Sequence, residues 1–450
     1  MGPKITTKVK SDVVVVGAGP AGLASCREAL LANKSVLLID VGENLQQPYA
    51  STQFDARYLG QPTGGLGGAA RLWGAQSGFL DALMLSKWKL ISSFDEKSIN
   101  SLMSAKNQMN KFLDINVMDD NFYEVNSELK LRTILKKYSL ELRHTTFPKK
   151  VDLRLHWVRL IKSNKIEMLL NETLHKIEHR QHGETILVFE SGLKIDLGMS
   201  KLIIAAGTIS TTGIILRSFP LESQEFNVGK QLLDHPCGVI ASYDGRGNKE
   251  LTKGLILKSK FGILKRKFQY QMGDVSGIFE IQYDLSPKTS SYRDRLTSIA
   301  NRIGHVIFKR ILFAPSKLHV WVQIEQTSGN SIYLDKFDNL MTSWSCSKKD
   351  LRTFEKISIV ANELLASEGF KLEHLTPLSK FEPLQAFHPS STIPMHSRMG
   401  QGFVNEFGIV HSHPNILIAS AAIFPTAGWI NPTFLIMTFA SHGTKHFLSN

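Results

Sequence analysis

Residues 12–22 read DVVVVGAGPAG, and residues 23–40 continue as LASCREALLANKSVLLID. The β-branched run at 13–16 has no polar alternation, which predicts a strand buried on both faces. Six residues follow at once: Gly17, Ala18, Gly19, Pro20, Ala21 and Gly22. The next stretch predicts a helix with one apolar face, and SVLLID predicts a second buried strand ending at Asp40. Strand, glycine turn, helix and strand within some thirty residues form a dinucleotide-binding unit. Gly17 makes the tight turn, Gly19 lets the backbone approach a pyrophosphate, and Gly22 lets helix and strand pack closely. The helix N-terminus then holds the diphosphate. Asp40, 18 positions after Gly22, is placed to hydrogen-bond the adenosine ribose hydroxyls.

Working outward, residues 64–78 read GGLGGAARLWGAQSG, a glycine-dense loop with one large aromatic, Trp73. Such a backbone can lie flat against a planar ring system. Residues 201–218, KLIIAAGTISTTGIILRS, predict another buried strand ending in small residues, followed by a helix. Such a strand end is where a dinucleotide would be approached a second time.

Composition bounds the rest. The chain has 450 residues, 42% apolar and 21% charged, with 33 Gly and 16 Pro, which excludes collagen, coiled coil and bulk disorder. Cys26, Cys237 and Cys346 are few, dispersed and odd in number, against a disulfide scaffold or cysteine-based zinc site. The net charge of +13 suits an anionic partner but says nothing of fold or chemistry, and no feature points to nucleic acid. Two stretches imitate membrane or export signals. The first 26 residues resemble a lipoprotein leader, but Asp12, Pro20 and three glycines interrupt it. Residues 416–440 are uncharged and long enough to span a bilayer. Pro425, Gly428 and Asn431-Pro432 divide them into a buried strand, an irregular loop and a buried helix. The expectation is a cytoplasmic chain.

At this point the pattern resembles the glucose–methanol–choline (GMC) oxidoreductases, flavoenzymes that oxidise alcohols and sugars, and most of all their shorter bacterial branch. GAGPAG with Asp40 resembles the family's FAD fingerprint, and GGLGGAARLWGAQ its glycine-rich motif beside the flavin. Asn227-Val228-Gly229-Lys230 with Asp234-His235-Pro236 is similar to its "VGR…DHP" segment. Residues 325–339, EQTSGNSIYLDKFDN, resemble a hairpin of its substrate domain. His388-Pro389-Ser390-Ser391-Thr392, Met395 and FPTAGWINPT (424–433) resemble the C-terminal signature. Ser391 stands where the family usually has Gly, Ser420 where many members have Asp, and Ala75 where a second Gly is common.

The resemblance implies an α/β fold: a Rossmann-like FAD domain interleaved with a substrate domain built on an antiparallel sheet. The FAD domain would comprise 1–90, 150–236 and 388–450, and the substrate domain 91–149 and 237–387. It implies non-covalent FAD against Gly17, Ala18, Gly19, Pro20, Ala21, Gly22, Asp40 and Val41. Gly68, Trp73, Gly74, Leu174, Ala206, Gly207, Ala421, Pro432 and Thr433 would complete that site. Leu72 falls where some sugar oxidases of the family carry a flavin-linking histidine, and leucine cannot form that bond. The catalytic pair would be His388 and Asn431, 43 positions apart. A neutral imidazole titrating near pH 7 suits His388 as the base for the hydroxyl proton. Asn431 would hold the substrate oxygen, and the flavin would take the hydride. The expected substrate is a small alcohol, a sugar, polyol or glycan-like molecule. The alternative is a catalytically silent FAD-binding scaffold, at a membrane surface or in a biosynthetic complex.

Competing chemistries do poorly. Six of the 15 histidines lie at or after position 388, including His411 and His413, but that region has one acid (Glu406) and no cysteine. No metal site is expected. There is no GxSxG elbow and no GxxxxGK[ST] loop. Arg293, Arg295, Arg302, Lys309 and Arg310 share a stretch with Leu296, Ile299, Ile303, Val306 and Ile307 at helical spacing. A basic amphipathic helix of this kind lies either on a membrane surface or, the plainer reading, in the substrate domain with a solvated basic face.

Overall fold

The computed structural model describes residues 7–42, 64–73, 77–115, 117, 140–147, 151–163, 165–179, 184–244, 256–259, 262–272, 275–283, 296, 299–300, 303, 317–326, 330–377 and 380–449. The expected first unit is present. Val13–Val16 forms a strand buried along its length, Pro20–Leu31 a helix, and Val36–Asp40 a strand parallel to the first. Among the described residues they belong to a six-stranded sheet. Its order is 409–410, 413–418, 201–204, 13–16, 36–40, 166–170. Every pairing is parallel except the one between 409–410 and 413–418. The sheet is covered on both faces, so its strands read as continuous apolar runs.

The uncharged C-terminal stretch divides where its prolines and glycine sit. It gives the strand His413–Ile418, a short 3₁₀ turn at Ala421–Ile423, an irregular loop and the helix Thr433–Ser449. That helix packs against Pro20–Leu31, where the hydroxyl of Thr444 donates to that of Ser25 and Ser441 donates to Glu28. Among the described residues no helix is long and apolar enough to cross a membrane.

A second sheet of eight strands is antiparallel. Its central order is 256–259, 262–272, 275–283, 317–324, 236–244, 371–375, with 140–147 beside 262–272 and 384–385 beside 236–244. Period-2 alternation sorts its faces. Leu318, Val320, Val322 and Ile324 enter a core with Phe354, Ile357 and Leu364 of the helix Lys348–Ser367. His319, Trp321 and Gln323 alternate with them, and Trp321 packs against the main core under the parallel sheet. The expected hairpin forms from Ser331–Leu334 and Leu340–Ser343. Its Ile332 and Leu340 pack on Ile209 of the helix Thr208–Ser218. A smaller four-stranded sheet, ordered 7–8, 194–196, 185–189, 174–179, completes the described strands. The fold class expected from the sequence therefore holds.

Candidate active site

The glycine turn sits where two parallel strands end side by side. Gly17 has φ +106°, and a Cβ there would stand 2.4 Å from the Ala205 carbonyl oxygen, so only glycine fits. A Cβ at Gly22 would stand 1.9 Å from the Gly17 oxygen, which sets the close approach of helix to turn. Gly19 is the opposite case: a Cβ there would meet nothing within 4 Å. Gly19 caps the helix Pro20–Leu31 and Gly207 caps Thr208–Ser218, so neither first turn has a side-chain cap. A Cβ at Gly207 also opens onto space. Two glycine-capped helix starts at adjacent strand ends, with open space at Gly19, fit the diphosphate of FAD.

Asp40 is buried, and its carboxylate accepts the N–H groups of Ala18 (2.7 Å), Gly42 (2.9 Å) and Gly65 (2.7 Å). It thus holds the glycine turn and the 64–73 loop together, a role beyond the ribose contact expected of it. The Ala18 carbonyl accepts from Gly67 N–H and from the indole N–H of buried Trp157, both at 2.9 Å. Val41 packs where a Cβ on Gly64 would stand, and Gly68 opens the 3₁₀ turn that ends at Leu72. Trp73 is buried in the main core, as is Leu174 at the start of the strand Leu174–His179. Gly74 lies outside the described residues. Ala206 is half-buried beyond the strand Lys201–Ile204. Ala421 is buried, and its carbonyl accepts the Ser391 N–H at 3.1 Å.

His388 is half-buried on a contorted segment: Phe387 before it and Ser391 after it have φ +59° and +67°. The left-handed backbone at Ser391 is one that glycine adopts without strain. The Asp234 carboxylate, fully buried, accepts the backbone N–H groups of His235 (2.6 Å) and His388 (3.0 Å). Buried His235 places its Nδ1 3.2 Å from His388 Nδ1 and its Nε2 3.0 Å from the Ala427 carbonyl oxygen. The Thr208 hydroxyl donates to the Pro389 carbonyl at 2.6 Å, and Thr212 and Thr392 share a hydroxyl bond of 2.6 Å.

The loop 424–432, which carries Asn431, is anchored from four sides. Trp429 donates its indole N–H to Asp81 at 2.6 Å, and Trp88 donates to Thr426 at 3.3 Å. Gln323 donates its amide to the Trp429 carbonyl at 3.1 Å, and Gly428 N–H donates to Glu325, itself paired with Lys87. Pro432 accepts the Ile436 N–H at the start of the helix that Thr433 opens. His235 bridges the two segments, so the His388 ring and the Asn431 loop share one buried partner. The sequence reading named His388 and Asn431 as the pair and quoted Asp234 and His235 only as part of a motif; it gave no role to these two, to Asp81 or to Trp157. The DHP triplet was the one available signal.

The C-terminal histidines diverge. His413 stacks on His179 with ring centroids 4.1 Å apart, and burial lowers the pKa of both. His411 donates to the His396 carbonyl at 2.9 Å. His442 packs against Phe407, and burial, with His446 nearby, pushes its pKa down to about 4. Among the described residues no group of three His, Cys, Asp or Glu side chains is placed to hold a metal ion.

Comparison with known proteins adds three findings. Residues 327–440 match the family model described as GMC oxidoreductase. No curated protein matches the chain. Among solved structures, it is similar to pyridoxine 4-oxidase from Mesorbium loti at 12% identity and a TM-score of 0.61. That match covers 98% of this chain and 99% of the other, and shows a common fold.

Proposed function

We propose that this chain is an FAD-dependent GMC oxidoreductase acting on CH–OH groups, and that His388 removes the hydroxyl proton of a sugar, polyol or glycan-like alcohol. The observation that carries this reading is the buried bridge His388–His235–Ala427, which ties the base to the loop of Asn431. When bound, FAD supplies the hydride acceptor. Asn431 holds the substrate oxygen from the loop that Asp81, Gln323 and Glu325 anchor, and His388 takes the proton as the hydride departs. A base held in place before substrate arrives lowers the barrier without reorganisation at the moment of reaction.

Substrate polarity is argued from the antiparallel sheet. The face that carries His319, Trp321 and Gln323 also carries Glu280, cross-strand from Trp321. Polar groups around an aromatic ring suit a polyhydroxylated substrate, whose C–H faces stack while its hydroxyls hydrogen-bond. FAD is held non-covalently in this reading, because Leu72 offers no nucleophile to the ring. The deciding experiment is an anaerobic screen of sugars and polyols that follows bleaching of the flavin absorbance. Bleaching by one class supports the assignment, and a flavin that stays oxidised with every alcohol supports the silent scaffold instead.

The same reading keeps the enzyme cytoplasmic, with a contact to anionic lipid through 293–310. Leu296, Ile299 and Ile303 are each close to half exposed, at helical spacing, in a stretch bearing five basic residues. Apart from Ala300, the rest of that stretch lies outside the described residues. Co-sedimentation with phosphatidylserine vesicles, and its loss in Leu296→Glu/Ile299→Glu, tests that contact.

A further inference from the structure

We propose that His235 is a positioning residue that sets the tautomer of His388, so that the lone pair of the base sits on Nε2. The inference rests on the assignment of His388 as base and adds how its proton is held beforehand. The Ala427 carbonyl can only accept, so His235 Nε2, 3.0 Å away, carries a proton. A neutral imidazole has one N–H, and His235 is 1% exposed, where a charged ring is costly. Its Nδ1 is therefore an acceptor. The ring nitrogen 3.2 Å from it, His388 Nδ1, must then be the donor. With the proton on Nδ1, neutral His388 has its lone pair on Nε2, the nitrogen at the far end of the ring.

Backbone geometry supports the same division of labour. One Asp234 oxygen accepts the N–H groups of both His235 and His388, so the two residues are registered to each other before their rings meet. The rings stand nearly perpendicular, at 74° with centroids 5.3 Å apart, which suits an in-plane N–H···N bond better than a stack. A second bond on one ring nitrogen fixes which tautomer the other nitrogen offers, as in histidines that bind metals. The chain Ala427–His235–His388 provides such a second bond.

The test is a tautomer measurement on the FAD-loaded enzyme with [15N]histidine, using long-range 1H–15N correlations. The His388 signals are assigned by their disappearance in His388→Gln. The wild type is expected to show a protonated Nδ1 and a pyridine-type Nε2 at His388. His235→Leu should return His388 to the Nε2–H form. His235→Asn places an amide oxygen where Nδ1 was and should restore the wild-type pattern. His235→Gln reaches Ala427 but lacks the near acceptor, and should not restore it. If His235→Leu fails to fold, the Asn and Gln variants carry the comparison. An Nε2–H form in the wild type, or one pattern in all four proteins, overturns the proposal. Should the expected pattern appear while His388→Gln keeps full activity in the alcohol screen, the assignment of the base falls and the tautomer relation stands.

Discussion

Gly65 donates its backbone N–H to the carboxylate of Asp40 at 2.7 Å, across 25 positions of sequence. The same group accepts from Ala18 and Gly42, so one buried acid joins the glycine turn, the strand end and the glycine-rich loop. Asp40→Ala removes the acceptor of three N–H groups. At about 1 kcal/mol or more for each buried donor left unmade, the variant should lose about 3 kcal/mol and fail to retain FAD. Urea unfolding of the apoprotein reads the first effect independently of the second. A midpoint equal to wild type would refute the buried role.

Gly17 and Gly19 should separate folding from cofactor binding. Gly17→Ala forces a Cβ to 2.4 Å from a backbone oxygen at φ +106°, and should lower the melting temperature of the apoprotein. Gly19→Val points into space that no described residue occupies, so the apoprotein should melt as wild type does yet take up no FAD. Fluorescence titration with FAD and a thermal melt on each variant distinguish the two.

His388→Ala should keep FAD and slow flavin reduction by about 10²–10⁴-fold, the usual worth of a positioned general base. Asn431→Ala should cost about 2–4 kcal/mol in the same step. The double variant should be far from additive, because both residues act on one oxygen. His411→Ala, whose ring bonds the His396 carbonyl, should leave the rate within a few-fold. Stopped-flow reduction under argon measures all four. Full activity in His388→Ala with bound FAD would move the site elsewhere.

FAD should leave the protein on acid precipitation and stay in the supernatant. The chain has Leu72 where a linking histidine would stand. Yellow colour remaining in a washed pellet would show a covalent bond made by another residue.

Acid should destabilise the fold through histidines whose pKa burial lowers. His442 is almost wholly buried, and its pKa falls from an ordinary 6.5 to about 4, through burial first and His446 second. A depressed folded value means the unfolded chain takes up the proton first. The stability held by neutral His442 is therefore complete above about pH 6.5 and lost as pH falls toward 4, by as much as about 3 kcal/mol. Burial lowers His179, His413 and His446 as well, with the same sign. Thermal melts at pH 7.5 and pH 5 should show the drop. In His442→Phe, which keeps a ring against Phe407, that drop should shrink.

Much of this architecture was legible from local pattern. Val13–Val16, the glycine turn and Val36–Asp40 form one unit of consecutive residues whose sterics are set by near neighbours, so their spacing alone reports them. The break of 416–440 into strand, loop and helix was legible for the same reason, since Pro425, Gly428 and Pro432 act on their own backbone. The hairpin at 331–343 was legible only through resemblance.

What only the tertiary structure decided is which distant groups share a proton or a donor. Asp81 and Trp429 are 348 positions apart, and Trp157 bonds Ala18 across 139. His235 and His388 are 153 apart, yet their Nδ1 atoms stand 3.2 Å from each other. Periodicity carries information about the face a residue occupies, and glycine about the backbone it permits. A hydrogen bond between elements depends instead on chain paths brought together by burial, a non-local property with no signature in the spacing of residues.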